Sequence, residues 1–303
     1  MKTARFDAFG GPEVLHLVDV APPHAGKGQV RIQVRAAGVN ASDWKKRQGL
    51  MDQELPQTLG YEAAGVVEEL GESVTDVCIG DQVFGFCVEG AAQAELAVLT
   101  YYAPMPSNIS FQVAAALPSA AETAARALDQ LSVHSGSILL VHGASGNVGS
   151  AAVQLARARG ARVIGTASAG KLEYLRSLGA EPVTYGDGMV ARVLALSGDG
   201  VDLALDVAGS GDIPDLIRLA GRPEHVITVA DYQGAKTHGV RFSRGDDGRA
   251  LYVMSQIGGL VASGQFQLPS VQAFPLKDIA EAHRVGEAGK ATGKLVLTPG
   301  EAP

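Results

Sequence analysis

The chain has 303 residues, 46% hydrophobic and 19% charged, with a formal net charge of -7. That length exceeds one small core and predicts one or two domains. The acidic balance excludes a broad nucleic-acid face, which must neutralise phosphates with lysine and arginine, and two cysteines (Cys78 and Cys87) exclude a disulfide framework or a four-cysteine zinc lobe.

In chain order, the opening stretch MKTARFDAFGGPEV lacks the apolar run of a secretory signal. No run of about 18 apolar residues is available to span a membrane. The expected setting is therefore a reducing cytoplasm, with both thiols buried. QVRIQVRAAGV alternates apolar and polar residues at period two, as a half-buried strand does. AAGVVEEL, DQVFGF and AELAVL follow as short strands with turn-rich GESVTDVCIG among them, and this spacing predicts a barrel-like β domain. SFQVAAALPSAAETAARALDQL is alanine-rich and helical, with a break at Pro118.

Strands and helices then alternate. SILLVH, ARVIGTA, EPVTY, VDLALDVA and HVITVA read as strands; VGSAAVQLARARG, GKLEYLRSLG, MVARVLALSG and DIPDLIRLA read as helices between them. This repetition predicts a doubly wound parallel sheet with right-handed crossovers. The tail, with GQFQLPSVQAFPL, the helix KDIAEAHRVGEAG and the strand GKLVLT, returns to the character of the first domain. The fold class is α/β: a Rossmann sheet, residues 112–266, inserted in a discontinuous β-barrel domain, residues 1–111 and 267–303.

LLVHGASGNVGSA places Gly143, Gly146 and Gly149 between a strand and a helix. The first glycine permits the tight turn, the second leaves room for a phosphate, and the third lets helix and strand approach. With Ser145, Asn147 and Val148 these residues form a candidate pyrophosphate site at a helix N-terminus. A binding site preferring NAD puts an acidic residue at the end of the next strand to hold the ribose 2′-OH. Gln154 through Lys171 contains no acid. Ser168 and Lys171 stand there instead, with Tyr185 at the end of the third strand, and together they suit a 2′-phosphate and hence NADPH. A solvated lysine at a helix start is the alternative for Lys171. HGASGN also resembles a nucleophile elbow, but Asn147 stands where that motif needs glycine.

Beyond these motifs the chain resembles the medium-chain dehydrogenase/reductase (MDR) superfamily, and within it the zinc-independent quinone oxidoreductase branch. The likeness rests on GVNASDWKKRQG (38–49), LGYEAAGVVEELGESVTDVCIGDQVFGF (59–86), LPSAAETAARAL (117–128), the glycine turn and its flanks (141–168), LRSLGAEPVTY (175–185) and GKLVLT (293–298). It implies a GroES-like β domain, a Rossmann domain, a cofactor cleft between them and a homodimer. The zinc-dependent cousins carry Cys and His where this chain has Asn40 and Tyr61, so no metal is expected. The resemblance also implies that Asn40 and Thr123 lie near the nicotinamide, and that Thr228, Val229 and Ala230 contact its carboxamide through the backbone.

Without a metal Lewis acid nothing stabilises an alkoxide, whereas a conjugated acceptor spreads the incoming charge onto oxygen by resonance. The expected reaction is hydride transfer from NADPH to a small-molecule quinone. Enone or enoyl reduction on the same scaffold is the alternative, and a non-catalytic NADPH-binding protein is a second one. Tyr61 is either a hydrogen-bond donor to the substrate oxygen or an aromatic wall. Asp43 either orients Asn40 or Tyr61 or caps a helix. Trp44 either stacks on a planar acceptor or packs in the core. His142 reads as a strand-end residue. The segments 231–249 and RQGLMDQELPQ are expected to shape the acceptor pocket.

Overall fold

The computed structural model describes residues 1–245 and 248–300. In chain order the elements begin with β1 (Lys2–Phe6), β2 (His16–Asp19), β3 (Val30–Gly38), α1 (Ala41–Arg47), β4 (Gln57–Thr58), β5 (Glu62–Leu70), β6 (Gln82–Phe86), β7 (Leu96–Leu99), β8 (Tyr101–Pro104) and α2 (Phe111–Ala114). After α3 (Pro118–Gln130) come β9 (Ile138–His142), α4 (Asn147–Ala158), β10 (Arg162–Ala167), α5 (Leu172–Ser177), β11 (Glu181–Thr184), α6 (Met189–Ser197), β12 (Leu203–Asp206), α7 (Ile213–Ala220), β13 (Val226–Thr228), α8 (Tyr232–His238) and β14 (Arg241–Phe242). The chain ends with α9 (Val253–Ala262), β15 (Val271–Pro275), α10 (Ile279–Glu287) and β16 (Lys294–Thr298).

Two compact units result: Met1–Ser119 with Met254 onward, and Ala120–Val253. The division read from sequence, at 111/112 and 266/267, differs from this one. Both transitions fall at the first residues of a helix, α3 and α9, where composition gives no signal.

In the first unit a sheet runs β15-β16-β3-β5-β6-β8, with β7 also paired to β3, and a second sheet runs β2-β1-β4. The tail thus pairs into the sheet of the opening segment, through Val296 opposite Gly38 and Leu297 opposite Ala37. β3 shows why: Val30, Ile32 and Val34 are buried while Gln33 and Arg35 are exposed, the period of two that a half-buried strand requires. Those three side chains meet Val67, Val83 and Leu99 in one core. Of the two thiols expected inside, Cys87 is buried and Cys78 is exposed. Cys78 sits in a turn closed by its own N–H on the Asp81 carboxylate, and that turn lifts the side chain into solvent.

The second unit is a parallel sheet of order β11-β10-β9-β12-β13-β14. Leu140, Ile164, Ala204 and Val226 from four of its strands bury against Met189 and Val193 of α6 and Ile213, Leu216 and Leu219 of α7. The chain winds outward from β9 through β10 to β11, then returns and winds the other way from β12, so the order reverses between β9 and β12. Ligands of open α/β sheets bind at such a reversal, beyond the carboxyl ends of the strands. No helix among the described residues is long and apolar enough to cross a membrane.

Candidate functional site

Two groups of candidate residues take shape, one in each unit. In the first unit, Asn40 ends β3's excursion and caps α1. Its N–H donates to Asp43 Oδ2 at 2.7 Å, and Asp43 Oδ1 accepts the Gly60 N–H at 3.1 Å. Asp43 therefore orients the backbone on both sides of the group, and the capping role foreseen for it holds as well. Burial drives its carboxyl up to about 6, against the pull of the Asn40 and Gly60 N–H groups and Lys294.

Beneath Asn40 lies a buried polar network. Lys294 Nζ stands 2.8 Å from Glu62 Oε1, with the two side chains 2% and 0% exposed. The ammonium also donates to Val39 O at 2.9 Å and to Asn40 Oδ1. Asn40 Nδ2 donates to Glu62 Oε1 at 2.8 Å, and the Ser119 N–H donates to Glu62 Oε2 at 2.7 Å. Gly38 makes room, since a Cβ there would stand 2.2 Å from Glu62 Oε1. A buried ion pair survives only when its remaining donors and acceptors are met in this way.

Tyr61 precedes β5 and is half-buried. Lys46 Nζ lies 5.8 Å from its ring centroid and donates to Thr58 O at 3.2 Å. Burial lowers the Lys46 ammonium below its usual range. Trp44 packs edge-on against His283, with ring centroids 6.2 Å apart, in the core cluster of Phe6, Leu59 and Ile279. Of its two readings, this is the packing one. The loop RQGLMDQELPQ presents Leu50 and Met51 to solvent.

In the second unit, Gly143 adopts a φ of +86°, and a Cβ there would meet Ala208 at 3.0 Å. A Cβ on Gly149 would lie 2.4 Å from Gly143 O and 2.7 Å from Ala144 Cα. Gly146 differs: it caps α4, and its Cβ position meets only Gly143 O, at 3.5 Å. The space left beside Gly146, at an exposed helix N-terminus with Asn147 and Val148 in the first turn, is a cradle that a side chain would fill. The imidazole of His142, three residues before Ser145, gives its nitrogens to Thr166, Ser210 and Asp212. So engaged, His142 is not the base that the nucleophile-elbow reading would need.

At the carboxyl end of β10, Ser168 and Lys171 bracket a short helical turn and are exposed. Register sets Ala167 opposite Thr184, and the Tyr185 N–H donates to Ala167 O at 3.3 Å, so the three residues share one sheet corner. Arg192, which sequence reasoning missed, fastens the loop behind Tyr185 by donating to the carbonyls of Thr184, Tyr185, Gly186 and Asp187. Thr123 is half-buried on α3. Thr228 is buried; its hydroxyl donates to Asp206 Oδ2 at 2.6 Å and accepts the Ala230 N–H at 3.1 Å. The Val229 N–H donates to Asp206 O. Both N–H groups are thus engaged, and the carbonyls are what Val229 and Ala230 have left to offer a ligand. In the 231–249 segment, expected to shape the acceptor pocket, Tyr232–His238 is helix α8, capped by the Asp231 carboxylate. Its Asp246 and Asp247 lie outside the described residues.

Residues 26–103 match the family model of the alcohol dehydrogenase GroES-like domain, and residues 147–241 match that of the zinc-binding dehydrogenases. Quinone oxidoreductase from Mus musculus is 32% identical over 98% of this chain and 97% of its own. The chain belongs to the quinone oxidoreductase branch of the MDR superfamily. NADPH-dependent alkenal/one oxidoreductase from Arabidopsis thaliana is 34% identical over 99% of this chain and 80% of its own. The structure of Escherichia coli quinone oxidoreductase complexed with NADPH superposes with a TM-score of 0.86 at 27% identity, covering 99% and 100% of the two chains. The chain also matches, at 33% identity, 14% of the length of the polyketide synthase protein NorB from Streptomyces orinoci.

An MDR oxidoreductase raises the question of zinc, and the donors here do not fit it. Among the described residues no group of three His, Cys, Asp or Glu converges. Glu62 has both oxygens taken, and the charge beside it is the Lys294 ammonium. A dinucleotide does fit the glycine turn, by the open side of Gly146 and the steric need for Gly143 and Gly149. Lys294 and Ser119 carried no sequence signal of a role, because they reach Asn40 and Glu62 only through the fold.

Proposed function

We propose that this MDR oxidoreductase is an NADPH-dependent, metal-free reductase of quinones or other conjugated carbonyl compounds. The observation that carries the reading is that both Glu62 oxygens are engaged, by Lys294, Asn40 and Ser119, so that the carboxylate beside Asn40 is paired with an ammonium. A substrate that needs no Lewis acid is then required, and a conjugated carbonyl meets that need by delocalising charge onto its oxygen. When bound, the reduced dinucleotide supplies the hydride.

This chain's own residues do the rest. Gly143 to Gly149 and the start of α4 receive the pyrophosphate. Ser168 donates to the 2′-phosphate and Lys171 sets a positive charge beside it, with Tyr185 closing the corner. By the family resemblance Asn40, held by Lys294 and Glu62, would serve the nicotinamide ribose and Thr123 the nicotinamide, and the carbonyls of Val229 and Ala230 would accept from the carboxamide. Tyr61 donates to the acceptor oxygen as negative charge develops there, and a proton from this side or from water completes the reduction. The expected assembly is a homodimer. The mouse and Escherichia coli relatives are named for quinones, and the Arabidopsis relative for alkenals and alkenones. That second name favours enone reduction as the alternative.

Steady-state oxidation of NADPH with a soluble benzoquinone and with a short enone tests the reading. Turnover of at least one is expected. Tight NADPH binding without turnover of either would leave a non-catalytic NADPH-binding protein.

A further inference from the structure

We propose that His142 is a positioning residue: its imidazole spans the point where strand order reverses and fixes the spacing between the glycine turn and the loop after β12. The proposal rests on the reading that the second unit binds NADPH. His142 is the last residue of β9, lies opposite Asp206 of β12 in register, and is 2% exposed. Its ring nitrogens face opposite ways. Nδ1 is 2.9 Å from Thr166 Oγ1, at the end of β10. Nε2 is 2.9 Å from Ser210 Oγ and 3.0 Å from Asp212 Oδ2, in the loop after β12.

One placement of the protons satisfies every partner. Thr166 Oγ1 accepts the Gly143 N–H at 3.0 Å, so its own hydrogen is free to point at Nδ1. Nε2 then carries the ring hydrogen and donates it to the Asp212 carboxylate, which also accepts the Ser210 hydroxyl. Every donor in the chain Gly143–Thr166–His142–Asp212 has an acceptor. One end of that chain is the first amide of the phosphate turn, and the other is the loop across the crevice.

Turn and loop also touch directly, since the Cβ position of Gly143 lies 3.0 Å from Ala208. The same loop meets the strand end beyond it: the Cβ position of Gly209 is 2.9 Å from Ala230. The imidazole thus braces a set of strand-end loops that runs from the pyrophosphate turn to the segment assigned to the carboxamide. It needs no contact with ligand, because phosphate-binding amides lose their effect when displaced by about an ångström.

The test is fluorescence titration with NADPH of the wild-type chain and of His142→Phe, Thr166→Val, Thr166→Ser and Asp212→Ala, with melting curves beside it. Thr166→Val and His142→Phe are expected to raise the NADPH Kd about tenfold, the size of one lost buried hydrogen bond. Thr166→Ser keeps the hydroxyl and should bind as wild type does. In turnover the loss should fall on KM for NADPH rather than on kcat. Should His142→Phe fail to fold, the Thr166 pair reads one end of the same chain, and Asp212→Ala, at a half-exposed site, reads the other with an expected several-fold loss. Unchanged Kd in the folded variants would overturn the proposal, as would equal losses in Thr166→Ser and Thr166→Val. Failure of the wild-type chain to bind NADPH would overturn this proposal and the proposed function together.

Discussion

At the scale of single residues, cofactor choice turns on what replaces an acid at the end of β10. Lys171 is exposed and stands with Ser168 and Tyr185 at one sheet corner. Lys171→Ala should weaken NADPH binding roughly tenfold or more while leaving NADH binding nearly unchanged, because only NADPH carries the 2′-phosphate. Isothermal titration with both cofactors measures this, and equal losses would mean that the 2′-phosphate lies elsewhere. The missing acid was legible in the sequence because the rule depends on one local stretch. The partners of Asn40 were not, because Lys294 reaches it across almost the whole chain. The His142 chain was hidden for the same reason: its bonds join strand ends that sequence spacing does not bring together.

At the scale of elements, the glycine turn allows a clean separation of folding from binding. Gly149→Ala forces a Cβ to within 2.4 Å of Gly143 O and should destabilise the β9–α4 packing, lowering the melting temperature. Gly146→Ala meets only Gly143 O at 3.5 Å, so the fold should melt normally while the NADPH Kd rises sharply. If Gly146→Ala binds NADPH as wild type does, no phosphate approaches there. A second element-scale effect sits where α10 meets α1. His283 is fully buried with both ring nitrogens unpartnered among the described residues, and burial, with the Arg47 guanidinium, pushes its imidazole down to about 3 from 6.5. The folded state therefore binds fewer protons than the unfolded one between these values. The stability His283 contributes is full above pH 6.5 and is lost as pH falls toward 3, by about 1.4 kcal/mol per unit. Asp43 acts in the opposite sense, since its raised carboxyl favours folding below pH 3.8 and that gain is lost as pH rises through about 6. Urea titration should therefore show the stability gap between wild type and His283→Leu shifting in favour of the variant from pH 7 to pH 4; a constant gap would contradict the assignment. The β/α alternation was legible because periodicity and glycine stops mark each element. Helix α8 was not, because a short capped helix with few apolar residues carries little periodic signal, and α1 entered only as the helix that Asp43 would cap.

At the scale of the whole molecule, the discontinuous domain was legible from the tail's change in character, and β16 pairing with β3 shows why the tail belongs there. The account's central claim is the proposal that reduction proceeds from NADPH without a metal ion, with Glu62 paired to the Lys294 ammonium. The most direct measurement is NADPH consumption with a soluble quinone and a short enone, in protein dialysed against a chelator, with zinc quantified in the same sample. The account predicts turnover undiminished by the chelator and far below-stoichiometric zinc. Loss of turnover on chelation, restored by added zinc, would contradict it.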